Sequence, residues 1–528
     1  MSDQPTGSTP WSWKLPARSK PRPKRALAPE NDFRRTVLFT IAGTLLPGLG
    51  LIAARRRVLG GSILAIFAAL VIGIGLYAVV DRQGFLMYAI NSVWLRRIAV
   101  ALAVLGVAWV AVVVGSHLSL RHGATSSQRV IGGVLVGALA FAVAAPLALA
   151  SNAAQVSAGA LGTVFKASGQ SKSATKPTDV PTARATAPEE KVDPWAKKRR
   201  LNILLLGGDA DKGRVGTRTD TVILASIDTK TGDTTMFSLP RNTGHMPFPS
   251  DSKLADRYPN GFTNGDGNNP EFFLNAMYRN VPIAVPKDLL GETDDLGADA
   301  LKLSVGAALG LKVDYYMLIN LQGFSKMINA LGGIRLNVNT YIPIGGCTDC
   351  GRRPTEYIKP GKNRKMTGRN ALWFARGRYG SDDFQRMDRQ RCVINAIIEQ
   401  ANPATMLSRY EDIAKAGKTI VFTDMPQEVL PAMVDLSLRV KDGNVRSIVF
   451  KHGVDGFLSP HPNFALMRKQ VKAAIGEAKK EPEETKKSSD SASPKATKTT
   501  ASEDVDSSCA YDAKAAAAAV QPYGVTLR

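Results

Sequence analysis

The chain is poor in the side chains that most often carry catalysis or bind metal: among 528 residues there are five histidines and four cysteines, Cys347, Cys350, Cys392 and Cys509. The Cys347/Cys350 pair, written CTDC, has no second C-x2-C to complete a zinc site. A disulfide among Cys347, Cys350 and Cys392 is the expectation if the domain lies outside the cytoplasm. Aromatics make up only 7% of the residues, which leaves little for base stacking. Cys2His2 spacing, an RNP-like aromatic run and a basic region followed by heptads are all missing, so nucleic acid is not an expected partner. No apolar core stands at a signal-peptide position, which argues against a cleaved secretory signal. The long apolar runs contain no acidic residue that would couple transport to an ion.

What the chain does have is positive charge and long apolar runs. A formal net charge of +23 favours polyanionic partners, such as acidic lipid or phosphorylated glycan, because a basic surface steers and retains them. Residues 1–35 are polar, basic and Pro-rich and read as a disordered cytoplasmic segment. Within the membrane region, 36–150, apolar stretches near 58–80, 98–118 and 130–150 are each long enough to cross a hydrocarbon core. A further stretch, 36–54, contains Leu46-Pro47-Gly48-Leu49-Gly50 between Arg34-Arg35 and Arg55-Arg56-Arg57. Basic clusters at both of its ends favour one side for both, so it reads as a re-entrant segment or an additional span. Three crossings place everything after Ala150 outside the cell, and four would leave it in the cytoplasm. The loop charges favour three, with Arg82, Arg96 and Arg97 counting against that choice.

Residues 151–197, rich in Ala, Ser, Thr, Lys and Pro, read as a flexible linker. A domain over 198–478 follows. LNILLLG (201–207), TDTVILASID (219–228), TTMFSLP (234–240), DYYMLINL (314–321) and GIRLNVNT (333–340) read as strands. Asp299–Gly310 and Gln322–Leu331 carry apolar residues at helical spacing. This alternation predicts a three-layer α/β/α domain with a central mixed sheet. Residues 479–528 read as a disordered low-complexity tail with a marginal Ala-rich helix over 510–520.

Three charged clusters fall at the ends of these elements. Asp209 follows the first strand and Asp220 opens the second, and two carboxylates suffice for Mg²⁺ when waters and phosphate oxygens complete its shell. Asp209 capping a turn and Asp220 pairing with Arg218 is the alternative. Leu239-Pro240-Arg241-Asn242 ends the third strand and puts Arg241 on a loop. In ALWFARGRYGSDDFQRMDRQR, Arg376 and Arg378 alternate along a segment read as extended, and Asp383, Arg386 and Gln390 fall on one helical face. Arginine forks bind phosphate in bidentate fashion, so the set suits a pyrophosphate.

Taken in order, LLLGGD, RTDT, SLPRNT, NALGGI, ARGR and DFQRMDRQR resemble the LytR-CpsA-Psr family of membrane-anchored cell-wall ligases over roughly residues 200–400. The resemblance implies an extracellular domain that transfers a glycan 1-phosphate from a polyprenyl-pyrophosphate carrier to peptidoglycan, with Mg²⁺ (or Mn²⁺) as cofactor. It implies metal binding by Asp209 and Asp220, and pyrophosphate binding by Arg218, Arg241, Arg376 and Arg378. It also implies a catalytic set of Asp383, Arg241, Arg386 and Gln390, with Asp383 as base. Two positions depart from the family pattern: Asn242 stands where an Asp is usual, and Phe273 where a Lys is usual. An apolar lipid pocket is expected between sheet and helices, with Leu303, Val305, Leu309, Met317, Ile319, Phe324 and Ile328 as candidates. A non-catalytic binder of polyprenyl-phosphate glycans, or a pyrophosphatase acting on them, is the alternative function.

Overall fold

The computed structural model describes residues 29–81, 85, 88, 91–121, 124–166, 170–177, 195–209, 217–265, 269–346, 351–400, 421–477 and 503–528. The chain divides into two compact units, one of residues 1–76 and 102–148, the other of residues 77–101 and 149–528.

In the first unit, α1 (Pro29–Leu45) breaks at Leu46-Pro47-Gly48 and resumes as the five-residue α2 (Leu49–Ala53). Gly48 sits at φ 105, and a Cβ there would lie 2.2 Å from the Gly60 carbonyl oxygen of α3 (Arg57–Val80). Only glycine fits both the conformation and the space. α3, α4 (Ser92–Leu120) and α5 (Ser126–Val164) are long and apolar enough to cross a membrane. The broken α1–α2 pair is not among them.

In the second unit, the ends of α4 and α5 pack through small residues. Ala99 meets Ala154 and Ala158, and the Ser151 hydroxyl donates to the Ala99 carbonyl at 2.8 Å. α5 therefore runs 14 residues past Ala150 into the stretch read as a flexible linker. Beyond it, Ser173 and Thr175 hydroxyls and the Ala174 N–H donate to the buried Asp299 carboxylate. Lys302, also buried, pairs with Asp424 beside them. The same Ala, Ser and Thr content that reads as disorder thus extends a helix and then satisfies a buried carboxylate.

The domain is built on a seven-stranded mixed sheet. Its members in chain order are β1 (Arg200–Gly208), β2 (Thr219–Asp228), β3 (Thr234–Leu239), β4 (Tyr315–Asn320), β9 (Val421–Thr423), β10 (Val445–Val449) and β11 (Glu503–Asp504). In space they run β11-β10-β3-β2-β1-β4-β9. The β1–β2–β3 meander is antiparallel, while β1–β4 and β3–β10 pair in parallel. Between β4 and β9 the chain adds two small sheets, β5 (Ile334–Val338) with β8 (Gly361–Met366), and β6 (Ile342–Ile344) with β7 (Glu356–Ile358). β7 also pairs with β12 (Thr526–Leu527).

Strand alternation splits the core into two layers. Leu204, Leu206, Val222, Leu224, Phe237 and Leu239 face α6 (Leu274–Ala284), α7 (Leu296–Leu309) and α12 (Phe464–Glu477). Leu201, Ile203, Ile227 and Tyr315 face the opposite layer, with Trp195 and α11 (Leu430–Asp442). Because both faces are covered, these strands read as nearly continuous apolar runs. Three further helices, α8 (Leu321–Ala330), α9 (Gly368–Arg376) and α10 (Asp383–Gln400), gather around the small β5–β8 sheet through Ile328, Ala371, Phe374 and Val393.

The tail differs most from expectation. Residues 503–528 form β11 on the edge of the main sheet, α13 (Val505–Ser508), α14 (Ala513–Ala518) and β12. Val505 is fully buried against Ile223 and Met236. Cys392 on α10 is bonded to Cys509, a pairing outside the three cysteines expected to form it. A buried Val and a cross-link outweigh the polar composition that made the segment read as disordered. Cys347 and Cys350 lie outside the described residues.

Candidate active site

A cavity of about 900 Å³ opens where β1 and β4 end against α8, α9 and α10. Asp209, Arg218, Asp220, Arg241, Arg376, Arg378, Asp383, Arg386 and Gln390 all line it. β1 and β2 are brought together by two glycines: a Cβ on Gly207 would lie 2.8 Å from the Thr221 hydroxyl oxygen, and one on Gly208 would lie 2.8 Å from Thr217 Cγ2. The register slips between Gly207 and Gly208, a bulge of the kind that re-aims the side chains beside it.

The bulge leads into Asp209, which is 6% exposed. Its Oδ1 accepts the Arg218 N–H at 2.9 Å, and its own N–H donates to the Arg218 carbonyl at 3.0 Å. Asp209 therefore closes the loop between β1 and β2. The Arg218 guanidinium is turned to Glu271, which also holds Arg279 and Asn280. Asp220 pairs with Arg241 rather than Arg218, Nη1 to Oδ1 at 3.0 Å.

Asp383 opens α10 and stands among three guanidiniums. Arg386 Nη2 donates to its Oδ2 at 3.1 Å, while Arg241 Nε and Arg378 Nη1 lie 3.6 and 3.7 Å from its Oδ1. Those longer distances exceed hydrogen-bond range, and Oδ1 is buried without a hydrogen-bond partner. Arg386, 3% exposed, also donates to the Asp220 carbonyl at 3.1 Å, which ties α10 to the start of β2. Burial works to raise the Asp220 carboxyl pKa, but the Arg241 guanidinium, aided by Arg386 and Arg378, more than offsets it and holds the group below the usual carboxylate range. Burial lowers the Arg386 guanidinium from its ordinary value, and Asp383 and Asp220 oppose that shift.

Arg376 and Arg378 do not lie on an extended segment as expected. Arg376 is the last residue of α9 and sits over the Trp373 ring at 5.4 Å, and Arg378 lies in the turn that follows. Thr367 caps the start of α9, and an amphipathic run from Gly368 overrides the alternating appearance of Arg-Gly-Arg. Arg389 of α10 donates to the Phe374 carbonyl at 2.7 Å and to that of Gly377. These are end-of-helix carbonyls that would otherwise lack a donor.

One face of α10 sets the character of the cavity. Asp383, Arg386, Gln390, Val393, Ile394 and Ile397 follow one another at helical spacing along a single wall, charged at one end and apolar at the other. Met317, Ile319 and Phe324 join the apolar end, as expected. Leu303, Val305 and Leu309 do not: they pack in the layer with α6 and α12, and Ile328 packs with the β5–β8 sheet. Helical spacing marks a buried face without saying which layer buries it. Glu271, Asn275 and Arg352 were not found from sequence: Glu271 and Arg352 stand in no periodic run, and Asn275 lies in α6, a helix that the strand and helix patterns did not single out. Asn242 is exposed, and neither it nor Phe273 is among the cavity-lining residues.

Hard carboxylate oxygens without His or Cys suit Mg²⁺ or Mn²⁺ in chemical type. Asp209 Oδ1 accepts the Arg218 N–H, and Asp220 Oδ1 accepts from the Arg241 guanidinium. No cluster of three or more His, Cys, Asp or Glu with metal-site geometry occurs among the described residues. The donor set therefore fits a metal that draws much of its shell from water and phosphate.

Residues 163–453, more than half of the chain, match the LytR_cpsA_psr family. The chain belongs to this family. Relatives include the polyisoprenyl-teichoic acid–peptidoglycan teichoic acid transferases TagU of Oceanobacillus iheyensis and TagV of Bacillus subtilis, each 28% identical. The matched regions cover 46% and 43% of this chain and 63% and 51% of those relatives. The biofilm regulatory protein A of Streptococcus mutans is also 28% identical, over 42% of this chain and 50% of its own length. The chain thus spans less than two thirds of the length of each of these relatives. Among solved structures, B. subtilis TagV aligns at 24% identity and a TM-score of 0.37, over 53% of this chain and 97% of that one.

Proposed function

We propose that this LytR-CpsA-Psr protein is a membrane-anchored phosphotransferase. In this reading it moves a glycan 1-phosphate from a polyprenyl-pyrophosphate carrier to peptidoglycan, outside the cytoplasmic membrane. The observation that carries the reading is the two-ended cavity, with guanidiniums around Asp383 at one end and apolar side chains of β4, α8 and α10 at the other. That chemistry complements a pyrophosphate joined to a long hydrocarbon. The names of TagU and TagV support the same reaction class.

In the proposed reaction Arg241, Arg378 and Arg386 hold the pyrophosphate and offset the charge that moves onto its oxygens. Arg218 and Arg376, which line the same cavity, complete the anion-binding set. A peptidoglycan hydroxyl attacks the phosphorus attached to the glycan, and Asp383 takes its proton. The bond from that phosphorus to the bridging oxygen breaks, releasing polyprenyl monophosphate and leaving a glycan–peptidoglycan phosphodiester. Gln390, between the charged and apolar ends, orients the substrate. Mg²⁺ (or Mn²⁺), when held by Asp209 and Asp220, supplies further positive charge to the phosphate oxygens.

The test uses the full chain in detergent with a polyprenyl-pyrophosphoryl oligosaccharide, Mg²⁺ and a peptidoglycan oligomer, read by mass spectrometry. A glycan–peptidoglycan phosphodiester that disappears on chelation is expected. Free glycan phosphate without conjugate would indicate a pyrophosphatase, and bound but unchanged substrate would indicate a binder.

A further inference from the structure

Arg96 and Arg97 are the described charges that fit the membrane reading least, and the proposed reaction makes no use of them. They lie on α4 between the seat of the domain and the apolar run of the helix. About one turn before them, the Ser92 hydroxyl donates to the Gln427 side-chain oxygen at 3.0 Å, and the Gln427 N–H donates to the Lys166 carbonyl just past the end of α5. Leu161 and Phe165 of this connection pack against the same layer of the domain as Trp195. The apolar run of α4 begins at Ile98. The two arginines therefore stand where a membrane boundary meets the domain, whichever leaflet that is.

Both side chains are exposed, and neither forms an ion pair among the described residues. Asp81 is the only acidic residue between Arg57 and Val164. The lysines that follow α5 are treated differently: Lys166 pairs with Asp294 at 2.9 Å and Lys172 with Glu292 at 3.2 Å. Arg97 sits over the Trp94 ring at 4.9 Å, and a ring holds a guanidinium in place without neutralising it. Tyr88 meets Trp94 edge-on at 4.9 Å and lies 6.1 Å from Tyr77, so three exposed aromatic rings adjoin the arginines. Trp and Tyr are enriched at headgroup level. Arg96 lies against α5, where a Cβ on Gly162 would come 4.0 Å from its Nη2.

From this we propose that Arg96, Arg97 and Trp94 form a site for the phosphate of an anionic phospholipid, and that the bound lipid braces the domain on its membrane helices. Two unpaired guanidiniums call for a counter-anion, and the arginine fork matches a phosphate. The apolar run beside them offers acyl chains a surface, which a soluble phosphate could not use. Basic groups between membrane helices hold lipid headgroups in this way. A zwitterionic lipid brings its own ammonium and leaves the positive charge uncompensated. The site is separate from the cavity and shares none of its lining residues.

The experiment uses the full chain in detergent with added phosphatidylglycerol or phosphatidylcholine, read by native mass spectrometry for bound lipid and by thermal melts. The wild type is expected to bind phosphatidylglycerol roughly tenfold or more tightly than phosphatidylcholine, and to melt at a higher temperature as that lipid is added. The double variant Arg96→Gln, Arg97→Gln is expected to lose both the preference and the upward shift while melting like the wild type without lipid. Arg97→Gln alone, which gives up a single charge, is expected to lose part of the preference and decides the matter should the double variant fail to fold. Excess geranylgeranyl pyrophosphate is expected to leave phosphatidylglycerol bound. Equal binding of the two phospholipids by the wild type, or variants that keep its preference, would overturn the proposal. Displacement by geranylgeranyl pyrophosphate would place the lipid in the cavity and overturn it equally.

Discussion

Asp220, Arg241 and Asp383 come from three separate segments of the chain and meet as alternating charges. Of the two carboxylates, Asp383 has a buried oxygen left without a hydrogen bond, and replacing it separates chemistry from binding. Asp383→Asn is expected to lower kcat roughly 100-fold while leaving KM for the lipid substrate nearly unchanged, as steady-state kinetics will read. Asp220 makes the opposite kind of prediction. Its pKa lies below the ordinary 3.8, so the stability it contributes is complete above that value and is lost as pH falls through the lower folded one. Thermal melts of wild type and Asp220→Asn should therefore differ by a constant amount through neutral and mildly acidic pH, and converge only in stronger acid. These three were legible in the sequence because each stands at the end of an element: Asp220 opens β2, Arg241 follows β3 and Asp383 opens α10. Glu271 was not, because only the folded chain brings it to Arg218.

At the scale of elements, α10 carries most of the site and is held at several points. Arg386 reaches the β2 backbone, Arg389 reaches the end of α9, and Cys392 is bonded to Cys509. The disulfide closes a long loop, its cysteines 117 positions apart in sequence. Cys509→Ser is expected to cost about 2–4 kcal/mol by denaturant titration, with reducing agent shifting the wild type towards the variant. The meander β1–β3 was readable almost to the residue, because apolar runs bounded by Gly, Pro and Thr-Gly-Asp leave little choice. α9 was not, since Arg-Gly-Arg looks extended until the Thr367 cap and the buried Ala371 and Phe374 are seen to share one helical face. The docked tail escaped for a related reason: a few specific contacts decide it, and bulk composition does not.

For the molecule as a whole, three apolar helices and a cavity with one charged and one apolar end suit an enzyme that takes its substrate from a membrane. An alkaline phosphatase reporter replacing the domain after Phe165 is expected to be active in cells, as the external topology requires; an inactive but well-expressed fusion would favour four crossings. The central claim is that the arginine–carboxylate cluster recognises a lipid pyrophosphate. Its most direct test is calorimetric titration of the full chain and of Arg241→Ala with a polyprenyl pyrophosphate and the matching monophosphate. Tighter binding of the pyrophosphate by the wild type, reduced at least tenfold in Arg241→Ala while the monophosphate changes less, is the predicted result. Equal affinity for the two lipids, or a variant that binds both as the wild type does, would contradict it.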